Sequence, residues 1–464
     1  MQPKRPHRGP IEHAANGPLA GSTRRVLLRR GALLVGGAAL ASLLEACRTA
    51  PVPPSAGSGA ESGPVKLVLL DVGNMDTPEA APRKQVLTEF MARNPDVTID
   101  ARALPTNVEW DRVARTTVSA GEQVDLVNIN GLWMRAWVRD RLLDDLSAHA
   151  QLTAPFGAVD PSFLAAQSDD PKHQFGIPLL HASSVHVTAL FYNKTLLDKA
   201  GLQPPRTLAD MKAMVQPLRA FSAVPLVHPS GDVAWNALLV TWIQPMLVNN
   251  QPMEFTQKTL RGEVKYNGPE WTRTFETIAN LSIDGVLGAG SGGLSVDAAY
   301  QLFNQGKAAM LYTGSWSLPA LTKGGIDLHT TGLPLVENAQ KAQPQIAFNS
   351  YAIAAGSQNK EAAVRWLTYA ADPVVDSQLA AKLQAFSSIP ASNSVITDSI
   401  ARELAPWFKD GVAPLDWFWE PEVTAEIRNQ VQALVKGETQ PKAAGEAVQA
   451  TADMLRREGR SYYK

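Results

Sequence analysis

Two patterns of apolar residues alternate along the first part of the chain, one typical of buried strands and the other typical of helices. Continuous runs of apolar and β-branched residues predict buried strands at Val65–Val72, Val97–Ala103 and Val124–Ile129. Helical spacing fills the intervals: one helix is predicted to begin at Thr77-Pro78-Glu79, and another to span Val108–Ala120. This order of strands and helices predicts an α/β fold, with a mostly parallel sheet that carries helices on both faces.

The stretch Val187–Gly201 joins a strand to a helix. Its first part is rich in β-branched and aromatic residues, which predicts a strand ending near Tyr192. Lys194–Ala200 has helical spacing of its apolar residues, and Gly201 is a natural C-terminal stop. Because a βα unit of this kind occurs in many α/β proteins, the pattern alone predicts structure and not function.

The same pattern continues to the C-terminus. Strands are predicted at Lys307–Tyr312 and Ala347–Ala354. Helices are predicted at Leu208–Phe221, Ala234–Trp242, Trp271–Leu281, Asp297–Gly306, Lys360–Ala370, Pro373–Lys382, Val423–Lys436 and Pro441–Arg456.

The N-terminal segment has the features of an export signal. Arg24-Arg25 precedes the apolar run Gly31–Leu44, which is too short and too rich in Gly and Ala to predict a membrane-spanning helix. The paired arginines resemble those of twin-arginine signals. Cys47 is the only cysteine, so a disulfide within the chain is excluded.

The tetrapeptide that ends at Cys47, Leu44-Glu45-Ala46-Cys47, resembles a bacterial lipobox, from which Glu45 departs. We therefore expect residues 1–46 to be removed and Cys47 to be lipidated. Residues 47–63 are rich in Pro, Ser, Gly and Ala, which is typical of a flexible tether. This predicts a protein anchored by lipid on the extracytoplasmic side of the cell membrane.

Length and composition narrow the class of protein further. The chain has 464 residues, which is too long for one ordinary core and suits two lobes. Without residues 1–46 the formal net charge falls from −1 to −6, and the remaining chain has no Lys/Arg cluster, which argues against a nucleic-acid partner. The chain contains 11 tryptophans, whose flat faces suit both core packing and the apolar C–H faces of sugars.

Several strings resemble one family. Tyr192-Asn193-Lys194 and the Ala-Gly and Pro-Pro pairs after it, Phe303–Trp316 with its "GKAAM" and "GSW", and Ser357–Leu367 with its "NKEAA" occur in the order of the family 1 extracellular solute-binding proteins. Gly437–Ala447 is similar to the end of that family. These proteins serve ABC importers, and the maltose-binding proteins belong to them. The resemblance extends over roughly residues 64–458.

The resemblance implies a two-lobed, type II periplasmic-binding-protein-like fold with a three-strand hinge. We expect residues 64–191 and 352–390 to form lobe 1, and residues 192–351 and 391–464 to form lobe 2. The chain is expected to cross first at Phe191–Lys194, to return at Pro344–Ala355, and to cross last at Ser388–Ser392.

Loops that follow strands are the expected ligand contacts, because ligands of open α/β sheets bind beyond the carboxyl ends of the strands. Trp316 follows a strand, and in the family this Trp often stacks on a sugar. Gly131 permits a tight turn that would leave the Asn130 amide free. Each tryptophan can equally be core packing, and His181 can be a plain surface residue. The expected ligand-binding residues are Asn74, Asn130, Trp133, His181, Trp235, Ser315, Trp316 and Trp417.

The sequence does not predict a metal site or a dinucleotide-binding site. His181 and His186 are five residues apart, and no other His, Cys or acidic cluster completes a ligand set, so no metal or cofactor is expected. The segment Gly288–Gly293 fits the pattern G-x-G-x-x-G, but it lacks the strand and helix of a dinucleotide site, and we interpret it as a loop.

The leading hypothesis is a monomeric, non-enzymatic lipoprotein that captures a carbohydrate and delivers it to the permease subunits of an ABC importer. A secreted glycoside hydrolase is the alternative, with Asp416 and Glu420 as its carboxylates. Their spacing places them side by side on one element, whereas that chemistry needs them on opposite sides of a bond. A binder of a non-sugar solute is the third possibility.

Overall fold

The computed structural model describes residues 64–105, 110–249, 251–409 and 411–461. The predicted signal, Cys47 and the tether before residue 64 lie outside these residues. Within the described ranges, no helix has the length and apolar character needed to cross a membrane.

The first part of the chain builds most of lobe 1. Its elements are β1 (Val65–Val72), α1 (Ala81–Arg93), β2 (Val97–Leu104), α2 (Trp110–Ser119), β3 (Leu126–Asn130), α3 (Gly131–Arg139), α4 (Thr153–Ala158), α5 (Pro161–Gln167) and β4 (Ile177–Pro178).

The middle part builds most of lobe 2. Its elements are β5 (His186–Asn193), α6 (Lys194–Lys199), α7 (Leu208–Ala213), α8 (Val215–Arg219), β6 (Val224–Val227), α9 (Asn236–Leu247), α10 (Pro252–Leu260), α11 (Pro269–Ile283), α12 (Val296–Asn304), β7 (Ala308–Gly314), α13 (Leu318–Leu321), β8 (Leu328–Thr331) and β9 (Ile346–Ala347).

The last part returns to lobe 1 and then completes lobe 2. It consists of β10 (Asn349–Ile353), α14 (Lys360–Ala370), α15 (Pro373–Leu383), α16 (Ser399–Lys409), α17 (Pro421–Lys436) and α18 (Pro441–Arg457).

Local sequence signals fix several helix ends. The Thr77 hydroxyl accepts a hydrogen bond from the Ala80 amide, and the 3₁₀ turn that it caps leads directly into α1. Thr207 and Asp210 form a reciprocal capping box at the start of α7. Gly437 adopts a φ of 73° after the last residue of α17, a conformation that glycine adopts without steric cost.

Both sheets are mixed: the pairs β1–β2, β1–β3 and β6–β7 are parallel, as expected, and the other strands join them antiparallel. In lobe 1 the order is β2-β1-β3-β10-β4, and β10 runs antiparallel to β3 and β4. In lobe 2 the order is β6-β7-β5-β8, β9 also pairs with β5, and β5 runs antiparallel to β7, β8 and β9. Strands β5 and β10 are antiparallel because each enters its lobe from the other one, and so begins at the edge where neighbouring strands end.

Each sheet is covered on both faces, as expected. In lobe 1, α1, α14 and α15 pack on one face, while Trp110 of α2 and Trp137 of α3 pack on the other. In lobe 2, α9, α11, α17 and α18 form the larger core, and α12 and α16 cover the opposite face. Each lobe therefore has its own hydrophobic core.

The crossings between the lobes differ from the predicted boundaries. All of β5 belongs to the second sheet, so the first crossing lies at 183–185 and not at 191–192. β10 begins at Asn349, so the return lies at 348, within the predicted segment Pro344–Ala355 but before the predicted lobe boundary at 351–352. The segment Pro390–Val395 packs on α15, whereas α16 packs on β8, so the last crossing lies at 396–398. Strand periodicity does not show which sheet a strand joins, and this explains the displacement.

Candidate functional site

Strand ends from both lobes meet beside the crossings. Gly314, the last residue of β7, pairs with Thr188 near the start of β5. Asn130, the last residue of β3, pairs with Asn349 at the start of β10. The carboxyl ends of β3 and β7 therefore lie at the edges of the two sheets that adjoin the crossings, where open α/β sheets bind ligands. We call this region the cleft.

Aromatic rings line the lobe 2 side of the cleft. The Trp316 ring centroid lies 5.9 Å from that of Trp235 and 5.7 Å from that of His186. Tyr300 also adjoins Trp235, with 6.4 Å between the ring centroids. Trp235 and Trp316 are only partly buried, so their indoles have surface that a ligand can contact.

The turn that carries Trp316 is fixed by its neighbours. The Ser317 hydroxyl lies 2.5 Å from the Tyr300 hydroxyl and 2.8 Å from the Thr313 hydroxyl. The Trp316 ring lies over Gly314, where a Cβ atom would come within 2.0 Å of Cζ3 of the indole. A side chain at Gly314 would clash with the indole, so this glycine allows Trp316 to pack against the strand end.

On the lobe 1 side, Trp133 lies in the first turns of α3, directly after β3. It is partly buried and meets Trp110 edge to face, with 4.8 Å between the ring centroids. Asn74 is exposed after β1, where its side-chain oxygen accepts a hydrogen bond from the Asp76 amide. Trp133 and Asn74 thus lie beyond the ends of β3 and β1, as predicted from the loop rule.

The prediction that the Asn130 amide is free is wrong. Its oxygen accepts a hydrogen bond from the Leu132 amide and caps α3. Its nitrogen donates to the Phe348 carbonyl and to Oδ1 of Asn349. Asn130 therefore joins the end of β3 to the returning strand, and its donors are occupied within the protein.

His181 is also not a cleft residue, because it is buried in lobe 1. Its Nδ1 lies 2.8 Å from the Tyr351 hydroxyl, and its Nε2 lies 2.9 Å from the Arg83 carbonyl. Burial and the neighbouring guanidinium of Arg83 lower the pKa of His181 to about 4, so its ring is neutral at pH 7. Both ring nitrogens have partners within the protein, which leaves neither for a ligand.

The neighbours of His181 converge on a buried carboxylate, Asp71. Its Oδ2 lies 2.7 Å from Nη2 of Arg83 and accepts a hydrogen bond from the Tyr351 hydroxyl. Its Oδ1 accepts from the side-chain amide of Asn128. The network connects β1, α1, β3 and β10, so it holds the strand ends of lobe 1 in place.

Trp417 is buried instead of lining a ligand site. It is 3% exposed, and its ring meets Phe348 with 5.0 Å between centroids. A Cβ atom on Gly131, in lobe 1, would lie 2.2 Å from Cε3 of Trp417. Arg135 of α3 donates to the Trp417 carbonyl and stacks 4.2 Å from the Phe418 ring centroid. Trp417 therefore packs between the lobes.

The rings of Trp235, Trp316, His186 and Tyr300 form what we call the aromatic wall. The sequence did not identify two of these residues, His186 and Tyr300. His186 was considered only as a metal ligand, although it begins β5 beside Trp316 and Ser315. Tyr300 belongs to α12, 17 residues before Ser317, and the packing of that helix brings its hydroxyl to the Ser317 hydroxyl. His186 directly precedes the strand-like stretch that begins at Val187, and this position at a strand end was a signal that could have identified it.

The carboxylates of the hydrolase alternative have partners within the protein. Asp416 is buried and pairs with Arg428 at 2.9 Å, and Glu420 accepts a hydrogen bond from Ser461. Among the described residues, no group of His, Cys, Asp and Glu is arranged to hold a metal ion. Gly288–Gly293 forms a loop with a short 3₁₀ turn, in agreement with its interpretation as a loop.

Comparisons with known proteins agree with this geometry. The family model described as a bacterial extracellular solute-binding protein matches residues 76–376. A putative binding protein of Brucella abortus is 27% identical over 165 residues, which cover 35% of this chain and 38% of the relative's length. A galactooligosaccharide-binding protein of Bacillus subtilis is 23% identical over 343 residues, which cover 72% of this chain and 77% of the relative.

Solved structures share the fold. A chitin oligosaccharide binding protein superimposes with a TM-score of 0.73 at 18% identity, covering 85% of this chain and 99% of that chain. At this identity the similarity shows the two-lobed type II fold and not the ligand.

Proposed function

Because this chain belongs to the bacterial extracellular solute-binding proteins, we propose that it captures a carbohydrate in the cleft and delivers it to an ABC importer. The family is a non-catalytic class of binding proteins that acts outside the cytoplasm. The observation that carries the carbohydrate proposal is the contact between two partly buried tryptophans, Trp316 after the end of β7 and Trp235 directly before α9. The names of the relatives, which include an oligosaccharide-binding protein, support it.

The chemistry of the cleft suits a sugar. Indole faces pack on the apolar C–H faces of pyranose rings, and polar groups beside them bind the hydroxyls. The Ser315 oxygen, beside Trp316, can accept a hydrogen bond from a sugar hydroxyl with the lone pair that the Val187 amide leaves, and Asn74 provides an amide beyond β1 on the other lobe. The proposed contact residues are Asn74, Trp133, Trp235, Ser315 and Trp316.

Closure of the two lobes is the proposed capture mechanism. The first crossing and the return lie side by side, since His186 pairs with Ala347. Val185 also bridges to Phe386, in the segment that runs from α15 towards the last crossing. Bending there leaves both cores intact. A sugar that touches Trp133 on one lobe and Trp316 on the other favours the closed state, because only that state makes both contacts.

A thermal-shift screen of the purified domain from residue 64 onward tests the proposal. A ligand that binds only the folded state stabilises it by about 2.7 kcal/mol at one hundred times its dissociation constant. We expect at least one mono- or oligosaccharide to raise the melting temperature, and amino acids, peptides and osmolytes to leave it unchanged. Stabilisation only by non-carbohydrate solutes contradicts the proposal. Release of shorter sugars from an oligosaccharide would instead support the hydrolase.

Membrane attachment through Cys47 is the second part of the proposal, and the lipobox-like tetrapeptide supports it. We expect Cys47→Ser to move the protein from the membrane fraction to the soluble fraction, because one lipidated residue would be the anchor. Cell fractionation and immunoblotting measure this, with Ser55→Ala in the tether as the control. A Cys47→Ser protein that stays in the membrane fraction contradicts lipid anchoring.

A further inference from the structure

His186 lies directly after the first crossing and beside the return to lobe 1. It is the first residue of β5 and pairs with Ala347 of β9, on the segment that leads back to lobe 1. Val185, just before it, bridges to Phe386 on the segment that follows α15. The imidazole ring meets Trp316 edge to face, with the two ring planes at 85°.

Each ring nitrogen of His186 has a serine partner. Nε2 lies 3.3 Å from the Ser183 hydroxyl in the first crossing, and Nδ1 lies 3.2 Å from the Ser315 hydroxyl in the Trp316 turn. The Ser183 hydroxyl also donates to the Ser184 carbonyl. The Ser315 oxygen also accepts a hydrogen bond from the Val187 amide.

These neighbours determine which nitrogen carries the proton. The Ser183 hydroxyl has one proton, which it donates to the Ser184 carbonyl. Towards His186 it can therefore only accept a hydrogen bond, so Nε2 of His186 carries the N–H. Nδ1 is then an acceptor for the Ser315 hydroxyl. Burial lowers the pKa of His186 to about 4, so the ring is neutral at pH 7 and carries one N–H, as this assignment requires.

We propose that His186 is a positioning residue that couples the first crossing to the Trp316 turn. The directed chain runs from the Val187 amide through Ser315 to Nδ1 of His186, and from Nε2 through Ser183 to the Ser184 carbonyl. A change in the backbone at 183–185 therefore reaches Ser315 and Trp316 directly. The proposal rests on the proposed function only in that Trp316 is taken as a sugar contact.

This chain of hydrogen bonds also explains the fixed position of the aromatic wall. Ser315 is held by His186 and Val187, and Ser317, two residues later, is held by Tyr300 and Thr313. Trp316 lies between these two anchors. The anchor at Ser317 belongs to the core of lobe 2. The anchor at Ser315 leads through His186 to the first crossing, so it can transmit hinge movement to the indole of Trp316.

Nuclear magnetic resonance of the sugar-free protein tests this coupling. In protein labelled with ¹⁵N at histidine, we expect the spectrum of His186 to show a neutral ring protonated at Nε2, assigned by its loss in His186→Leu. Ser183→Ala is expected to shift the indole N–H signal of Trp316, which is assigned with Trp316→Phe. The control is Ser162→Ala, an exposed serine of lobe 1 whose hydroxyl donates to Asp160 two residues away. This control should leave the Trp316 signal unchanged.

Two results overturn the proposal. A ring protonated at Nδ1 reverses the hydrogen bonds, and a Trp316 signal that does not respond to Ser183→Ala shows that the chain transmits nothing. The tautomer is read from the wild-type protein, so a poorly folded variant does not affect it. Neither the His186 tautomer nor the Trp316 signal requires a sugar for its measurement. A failed sugar screen would therefore contradict the proposed function but would not contradict this coupling.

Binding measures the consequence for the site. With the saccharide selected by the screen, Ser183→Ala is expected to weaken affinity about fivefold, the effect of one neutral hydrogen bond. The same substitution in a His186→Leu background should have no further effect, because the chain is already broken. Additive effects of the two substitutions would contradict a shared pathway.

Discussion

Asp71→Ala is expected to lower the free energy of unfolding by about 3–5 kcal/mol, because it removes one partner of a buried ion pair. The Asp71 side chain is 1% exposed, and Arg83 beside it is 17% exposed. Without the carboxylate, the guanidinium of Arg83, the Tyr351 hydroxyl and the Asn128 amide would each lose a hydrogen bond. Unpaired buried groups of this kind carry their full desolvation cost.

Denaturant unfolding monitored by circular dichroism measures this effect. The matched control is Asp76→Ala, since Asp76 also pairs with a cation of α1, Lys84, but its side chain is 73% exposed. A surface ion pair contributes about 0–1 kcal/mol, so this control should change stability little. Equal effects of the two substitutions would show that the buried network does not hold lobe 1 together.

Trp316→Ala is expected to weaken carbohydrate binding by about 1–3 kcal/mol, the range of an aromatic residue central to a binding site. The indole is partly exposed at the end of β7, and no hydrogen bond of the wall depends on it. Because Tyr300 and Thr313 hold Ser317 independently, the turn should keep its shape. Isothermal titration calorimetry with the saccharide selected by the screen measures the loss.

Stability separates a binding role from a packing role for Trp316. A large aromatic residue in a core costs about 3–5 kcal/mol when replaced by alanine, whereas a cleft residue costs less. The matched control is Trp407→Ala, a partly buried tryptophan of α16 that packs over Gly332 away from the aromatic wall. Unchanged affinity in a folded Trp316→Ala protein would remove Trp316 from the site, as would an equal loss from Trp407→Ala.

The sequence was sufficient to predict most helices and strands, because their signals are local. The strand Val65–Val72 and the helix Lys360–Ala370 were predicted with the bounds that the structure has. Strand direction was not predictable in the same way, since alternation shows burial but not which strand lies alongside. The antiparallel pairing of β5 and β10 depends on where the chain crosses, which is a property of the whole fold.

The site was predicted less well, for a related reason. The rule that ligands bind at strand ends selected Trp316 and Trp133, but it also selected His181 and Asn130, whose partners are distant in sequence. Tyr351 is 170 residues from His181, and Asn349 is 219 residues from Asn130. Trp417 was assigned to a ligand contact because its aromatic stretch resembles a family segment whose Trp enters the cleft. Its partner Gly131 lies in the other lobe, where local pattern cannot reveal it.

The crystal structure of the protein with its selected saccharide tests the central claim most directly. The account predicts one sugar ring stacked on the Trp316 indole, with Trp133 or Asn74 of lobe 1 in contact with the same ligand. A matched crystal of Trp316→Ala under the same conditions should show an empty cleft or weaker occupancy. A saccharide bound outside the cleft, or one that touches a single lobe and leaves Trp316 bare, would contradict carbohydrate capture between the lobes.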